Sequence, residues 1–172
     1  DYCKDKKIAP LCTPWDIESL KILEDYGMDA YKVASADLTN TELLEALANT
    51  GKPLICFTGM STEAEIKLAV STLRKKGTQF IMLHCNSTYP APYKDINLNY
   101  IKRLKDLTGA LVGYSGHERG GFIPLAAIAM DAKIIERLRT AVRSVIGDGT
   151  FNSYLARYNL QGLTLPKPGK LQ

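Results

Sequence analysis

No stretch of this chain strings together the ~18 apolar residues that a membrane-crossing helix needs, so a transmembrane role is not expected. No charged-then-apolar leader opens it, and no secretory signal is expected. Cysteine is sparse and unpaired: Cys3, Cys12, Cys56 and Cys85 stand at neither metal-finger nor redox spacing. Three of them fall in or at the end of expected strands, where a free thiol acts as a small apolar side chain. That pattern points to a reducing, cytoplasmic compartment. One-sided charge is lacking as well. The formal net charge is only +4 and the basic residues are scattered up to Lys133, which gives nucleic acid no continuous stripe to follow. No carboxylate pair suggests glycosidase chemistry, and there is no glycine-rich phosphate loop or dinucleotide fingerprint. The chain opens on Asp1-Tyr2-Cys3 without an initiator methionine, in what reads as the end of a helix, so an N-terminal truncation is expected.

What is present is an ordinary globular composition, 45% hydrophobic and 23% charged, which argues against disorder. Short apolar runs start near Ile8, Ala30, Pro53, Phe80, Ala110 and Lys133, with amphipathic segments between them. Each interval accommodates one strand, one helix and two loops, the signature of parallel strands with helices packed outside. The clearest helix is predicted over 62–76. Thr62 and Glu65 form a capping-box pattern, and Ile66, Ala69, Val70 and Leu73 share one face. Gly77 then suits a left-handed C-terminal residue. Further helices are predicted over 16–26, 41–49 and 97–107, and Pro124 suits the first turn of one running to Met130. The strands, such as Leu54-Ile55-Cys56-Phe57 and Phe80-Ile81-Met82-Leu83, read as buried on both faces. An open doubly wound sheet and a (βα)8 barrel both fit, the barrel slightly better. A whole barrel needs eight units and typically ~250 residues, against about six units here.

Both architectures put their sites at the carboxyl ends of the strands. Those ends carry Thr13, Lys32, Ser35, Thr58, Ser87, Ser115 and both histidines, a set suited to a phosphate dianion. Each has a plainer reading. Thr13, Ser35 and Ser87 are equally suited to capping the helices that follow. His84 reads best as a satisfied buried histidine, whereas His117, after Ser-Gly at a strand end, is a candidate ligand or acid/base. Lys32 interrupts an apolar strand, where a lysine without a task is uncommon.

The ordered motifs TPWD (13–16), AYKVASADLTN (30–40), TGKP (50–53), TGM (58–60), LHCNSTYPAP (83–92), DINL (95–98), GYSGH (113–117) and PLAA (124–127) resemble the N-acetylneuraminate (sialic acid) synthase family, including its spore-coat polysaccharide synthase relatives. The resemblance covers residues 1–137 and implies a parallel TIM-type (βα)8 barrel, with about six of its eight units in this chain. It also implies a phosphoenolpyruvate-dependent C–C bond-forming transferase of carbohydrate biosynthesis, whose members are often homodimeric. Such an enzyme joins phosphoenolpyruvate to N-acetylmannosamine or a related amino sugar, giving a nonulosonic acid and phosphate. Thr13, Lys32, Ser35, Ser87 and Ser115 match positions that hold phosphoenolpyruvate, and Tyr89 matches a sugar-contacting one. His117 matches a ligand of a divalent metal, Mn2+ or Mg2+, so Lys32 and His117 are the expected catalytic residues. The chain departs from the pattern in three places. Two leading βα units, with an acidic residue and a second lysine, are not present. Phe57 stands where the family usually has serine. Leu138 stands where a second metal-binding histidine is expected. These departures imply weak or no turnover by these 172 residues, the alternative being an impaired fragment that binds phosphoenolpyruvate or another anion. Residues 138–172 are expected to be a divergent helix and tail, with LTLPKPGK (163–170) faintly similar to the family's linker to a C-terminal domain.

Overall fold

The structure, a computed structural model, describes residues 5–7 and 9–133. Residues 134–137 of the expected last strand and the expected helix and tail over 138–172 lie outside the described residues. Four strands, β1 (Tyr31–Val33), β2 (Leu54–Phe57), β3 (Phe80–Cys85) and β4 (Leu111–Ser115), form one parallel sheet in the order β1-β2-β3-β4. Helix α1 (Ile17–Asp25) precedes β1. Helices α2 (Thr41–Asn49), α3 (Glu63–Lys75) and α4 (Tyr100–Thr108) connect successive strands, and α5 (Phe122–Ala129) follows β4.

Local sequence explains where the helices begin. At α3 the Thr62 amide donates to Glu65 Oε2 at 2.6 Å while the Glu65 amide donates to Thr62 Oγ1 at 3.4 Å, the reciprocal bonding expected from the sequence. Asp16 caps α1 by accepting the Ser19 amide at 2.7 Å, and Asn40 caps α2 by accepting the Leu43 amide at 3.2 Å. Pro124 falls in the first turn of α5, as expected. Helix α4 differs from the sequence reading: it starts at Tyr100 rather than Asn97. The Tyr100 and Ile101 amides donate to the Asn97 and Leu98 carbonyls at 2.9 and 3.0 Å, so a tight i→i+3 turn occupies the positions assigned to its first turn. It ends at Gly109, whose φ of 59° is the left-handed cap that only glycine adopts without strain.

The six apolar runs do not all become strands. The first, near Ile8, contributes a single bridge, Cys12 to Tyr31, because Pro10 and Pro14 bracket it and supply no amide donors. The last begins at Lys133, where the described residues end.

Strand parity sorts the sheet into two faces. Tyr31, Val33, Leu54, Cys56, Met82, Val112 and Tyr114 belong to the core, together with Leu43, Leu44 and Leu47 of α2, Ile66, Ala69, Val70 and Leu73 of α3, and Ile101 and Leu104 of α4. Burial pushes the Cys56 thiol up to about 12, so it behaves as an apolar side chain. Leu73 has no exposed surface, and Leu73→Ala is expected to cost about 2–5 kcal/mol, read as a lower urea midpoint at unchanged slope. The alternate row, Lys32, Ile55, Phe57, Ile81, Leu83, Cys85, Leu111, Gly113 and Ser115, faces away from the helices. In a closed (βα)8 barrel that face is the lumen, and its carboxyl-end rim is where active sites sit.

Candidate functional site

The parallel register brings the polar residues of that rim together. Lys32 lies level with Ile55, Phe57 with Leu83, and Cys85 with Ser115. Ser35 opens a short 3-10 turn (Ser35–Asp37) just past β1, and its Oγ accepts the Gly59 amide at 3.1 Å. Gly59 follows β2 and sits tightly between two neighbours: a Cβ at this position would lie 2.5 Å from Ser87 Oγ and 3.1 Å from both Ser35 Oγ and the Cys85 carbonyl. Space, not backbone conformation, therefore requires glycine here. Burial raises the Cys85 thiol above its ordinary value. Ser35, Ser87 and the Lys32 charge oppose that rise and Glu118 adds to it. The Lys32 ammonium lies 4.5 Å from the centroid of the Phe57 ring.

None of the three hydroxyl residues caps a helix. Asp16 takes that part for α1 and Asn40 for α2, and the 3-10 turns at Ser35–Asp37 and Tyr93–Asp95 have no side-chain cap. The capping alternative for Thr13, Ser35 and Ser87 is thereby removed. Thr13 reaches the same rim through the Cys12 bridge, where the Lys32 amide donates to the Cys12 carbonyl at 2.9 Å, but it makes no hydrogen bond to the Ser35–Ser87 cluster.

Beside this cluster the loop after β3 meets the loop after β4. His117 Nδ1 lies 2.7 Å from the Asn86 carbonyl, which can only accept, so Nδ1 carries a hydrogen and Nε2 is the nitrogen left for a ligand. The Tyr89 ring packs 5.3 Å from the imidazole, and the Ala91 amide donates to the His117 carbonyl at 3.1 Å. Glu118 Oε2 accepts the Tyr114 hydroxyl at 2.8 Å and fills the space that a side chain at Gly116 would need. Metal binding meets a poorer donor set. His117 has the free nitrogen and carbonyl support of a ligand, yet among the described residues no three His, Cys, Asp or Glu side chains converge on a common point.

His84 belongs to the opposite face. It is 8% exposed and lies between the rings of Tyr100 and Tyr114, at 5.4 and 5.8 Å. Burial holds its pKa below the ordinary 6.5, opposed by a backbone hydrogen bond at Asn97. Its Nε2 has no hydrogen-bond partner, so the expected buried histidine is found but is not fully satisfied. The folded chain binds a proton on this imidazole less readily than the unfolded chain, which protonates near 6.5. Stability should therefore fall as pH drops through about 6.5, where the unfolded state binds more protons. Melting temperatures from pH 8 to pH 5.5 should show this slope, and His84→Phe should flatten it.

Sequence reasoning missed Gly59, Cys85 and Glu118. Gly59 stands inside the quoted TGM motif and Cys85 has the strand parity of Ile81 and Leu83, so both carried a usable signal. The Tyr114–Glu118 bond depends on how the loop turns back and had none.

The described residues thus form a parallel α/β protein with a lysine, hydroxyls and a backbone amide at the carboxyl ends of its strands. A family profile matches residues 1–160, beyond the span over which the motifs were recognised, and the chain belongs to the NeuB family. It is 43% identical over 148 residues to an uncharacterised protein of Methanocaldococcus jannaschii, covering 86% of this chain and 44% of that one. It is 38% identical over 149 residues to the N,N'-diacetyllegionaminic acid synthase of Campylobacter jejuni, covering 85% and 45% respectively. The sialic acid synthetase of Leptospira borgpetersenii, solved with citrate, superposes with a TM-score of 0.73 at 41% identity, over 76% of this chain and 46% of that one. The chain thus spans under half the length of the curated relatives it matches. Among the described residues no helix is long and apolar enough to cross a membrane.

Proposed function

We propose that this chain supplies the phosphoenolpyruvate side of a nonulosonate synthase site. The reaction joins phosphoenolpyruvate to N-acetylmannosamine or a related amino sugar. The observation that carries the proposal is that Ser35, Ser87 and the Gly59 amide meet at the strand ends, on the rim that also carries Lys32 beside Phe57. In this reading C3 of phosphoenolpyruvate attacks the sugar aldehyde and forms the new C–C bond. Water adds at C2, and the C2–O bond to phosphate breaks from the tetrahedral intermediate, leaving a 2-keto acid. Lys32 neutralises charge on the phosphate or carboxylate and steadies the departing phosphate, while the hydroxyls of Thr13, Ser35, Ser87 and Ser115 orient the group. Tyr89 offers a ring and a hydroxyl to the sugar, beside His117. The divalent Mn2+ or Mg2+ implied by the resemblance would take His117 Nε2, but no three His, Cys, Asp or Glu side chains converge among the described residues. One nitrogen does not make a site, so no step here runs through the metal.

The test is phosphate release from phosphoenolpyruvate, measured with and without N-acetylmannosamine or a legionaminic-type amino sugar and with Mn2+ present. Sugar-dependent release supports the synthase. Binding of phosphoenolpyruvate without release points to an anion-binding module instead. Neither binding nor release overturns both readings.

A further inference from the structure

Lys32 stands on the face of β1 away from the helices, level with Ile55, while Phe57 lies two residues further along the neighbouring strand on that same face. From there the lysine stem reaches toward the strand ends and sets Nζ 4.5 Å from the Phe57 ring centroid, inside the ~6 Å range over which a ring face attracts a cation. Among the described residues no carboxylate pairs with Lys32, in contrast to Lys21, Lys52 and Lys105, which meet Glu18, Glu24 and Asp131. The ring is therefore the group that holds this ammonium in place. A carboxylate in that position would neutralise the lysine's charge. A ring face orients the ammonium yet leaves its formal charge whole and its N–H donors open to an anion.

We infer that Phe57 is a positioning residue for anion binding: it presets the Lys32 ammonium, so that an incoming phosphate or carboxylate meets an ordered cation and not a free lysine rotamer. This rests on the proposed phosphoenolpyruvate site. A flexible lysine loses rotamer freedom when it is fixed on a ligand, and a ring that has already fixed it lowers that cost.

The test is a double-mutant cycle read by calorimetric titration of phosphoenolpyruvate into the whole chain, with Phe57→Leu, Lys32→Met and the double variant. Phe57→Leu is expected to weaken binding roughly 3- to 10-fold, and Phe57→Tyr to bind within about two-fold of the parent. In the Lys32→Met background Phe57→Leu should change little further, because the ring then has no cation to hold. Ring-fluorinated phenylalanines at position 57 keep the shape while draining the ring face, and affinity should fall stepwise with fluorine number even where Phe57→Leu fails to fold. Lys32→Met without effect would defeat the phosphoenolpyruvate site itself. A strong Lys32→Met effect combined with equal losses from Phe57→Leu in both backgrounds, or with a flat fluorine series, would defeat the role of Phe57 alone.

Discussion

Replacing Gly59 by alanine should weaken phosphoenolpyruvate binding by at least about ten-fold while leaving the melting temperature close to the parent's, a loss of roughly 1.4 kcal/mol or more. The added methyl would sit 2.5 Å from Ser87 Oγ, and retreat is limited because the Cys85 carbonyl stands 3.1 Å away on the end of β3. Carbon and oxygen do not approach to that distance, so the Ser87 side chain must swing out or the turn after β2 must shift. Either movement separates Ser87 from Ser35 and disturbs the Gly59 amide that donates to Ser35 Oγ. Over-packing of this kind costs about 1–3 kcal/mol when a dense core must absorb it. Here the strain falls at a loop beside half-exposed residues, so it should appear in ligand affinity more than in unfolding. Calorimetry and a thermal melt on the same preparation separate the two. An alanine variant that binds phosphoenolpyruvate like the parent would show that the Ser35–Gly59–Ser87 cluster is not the ligand's seat.

The second large effect is expected at Lys32. Methionine keeps the length of the stem and removes the charge, so Lys32→Met should lower affinity for phosphoenolpyruvate about 10- to 100-fold, in line with the ~1.5–3 kcal/mol of a hydrogen bond to a charged group. The parent's affinity should also fall with added salt more steeply than the variant's, since only the parent places a full positive charge beside the ligand. Stability should hold or rise slightly, because the variant no longer keeps an ammonium on a largely apolar face of the sheet. Destabilisation with unchanged affinity would assign Lys32 a structural task instead.

Much of this arrangement was legible in the sequence wherever the cause was local. Thr62 and Glu65 announce the start of α3 because both partners of the capping box lie within one turn, and the Ile66-to-Leu73 spacing fixes its buried face. Strand identity followed from short apolar runs, and Lys32 stood out as a charge inside such a run. Features that depend on the meeting of distant segments were not legible. Ser35 and Ser87 look like helix caps in one dimension. Only the register of β1, β2 and β3 brings them to the Gly59 amide and shows that Asp16 and Asn40 do the capping. The start of α4 moved because a tight turn competes with the first helical turn at Asn97 and Leu98. The strand expected near Ile8 shrank to one bridge because two prolines withhold the donors a ladder needs. Phe57 carried a recognisable departure in the sequence, but its contact with Lys32 emerged only from the two strands lying side by side.

The rim formed by Lys32, Ser35, Gly59 and Ser87 is the proposed seat of phosphoenolpyruvate. Calorimetric titration of phosphoenolpyruvate into the unmodified chain tests it most directly. Saturable binding at one site per chain, strongly weakened by Lys32→Met, is expected. Heats that never saturate, or saturable binding that Lys32→Met leaves unchanged, would contradict it.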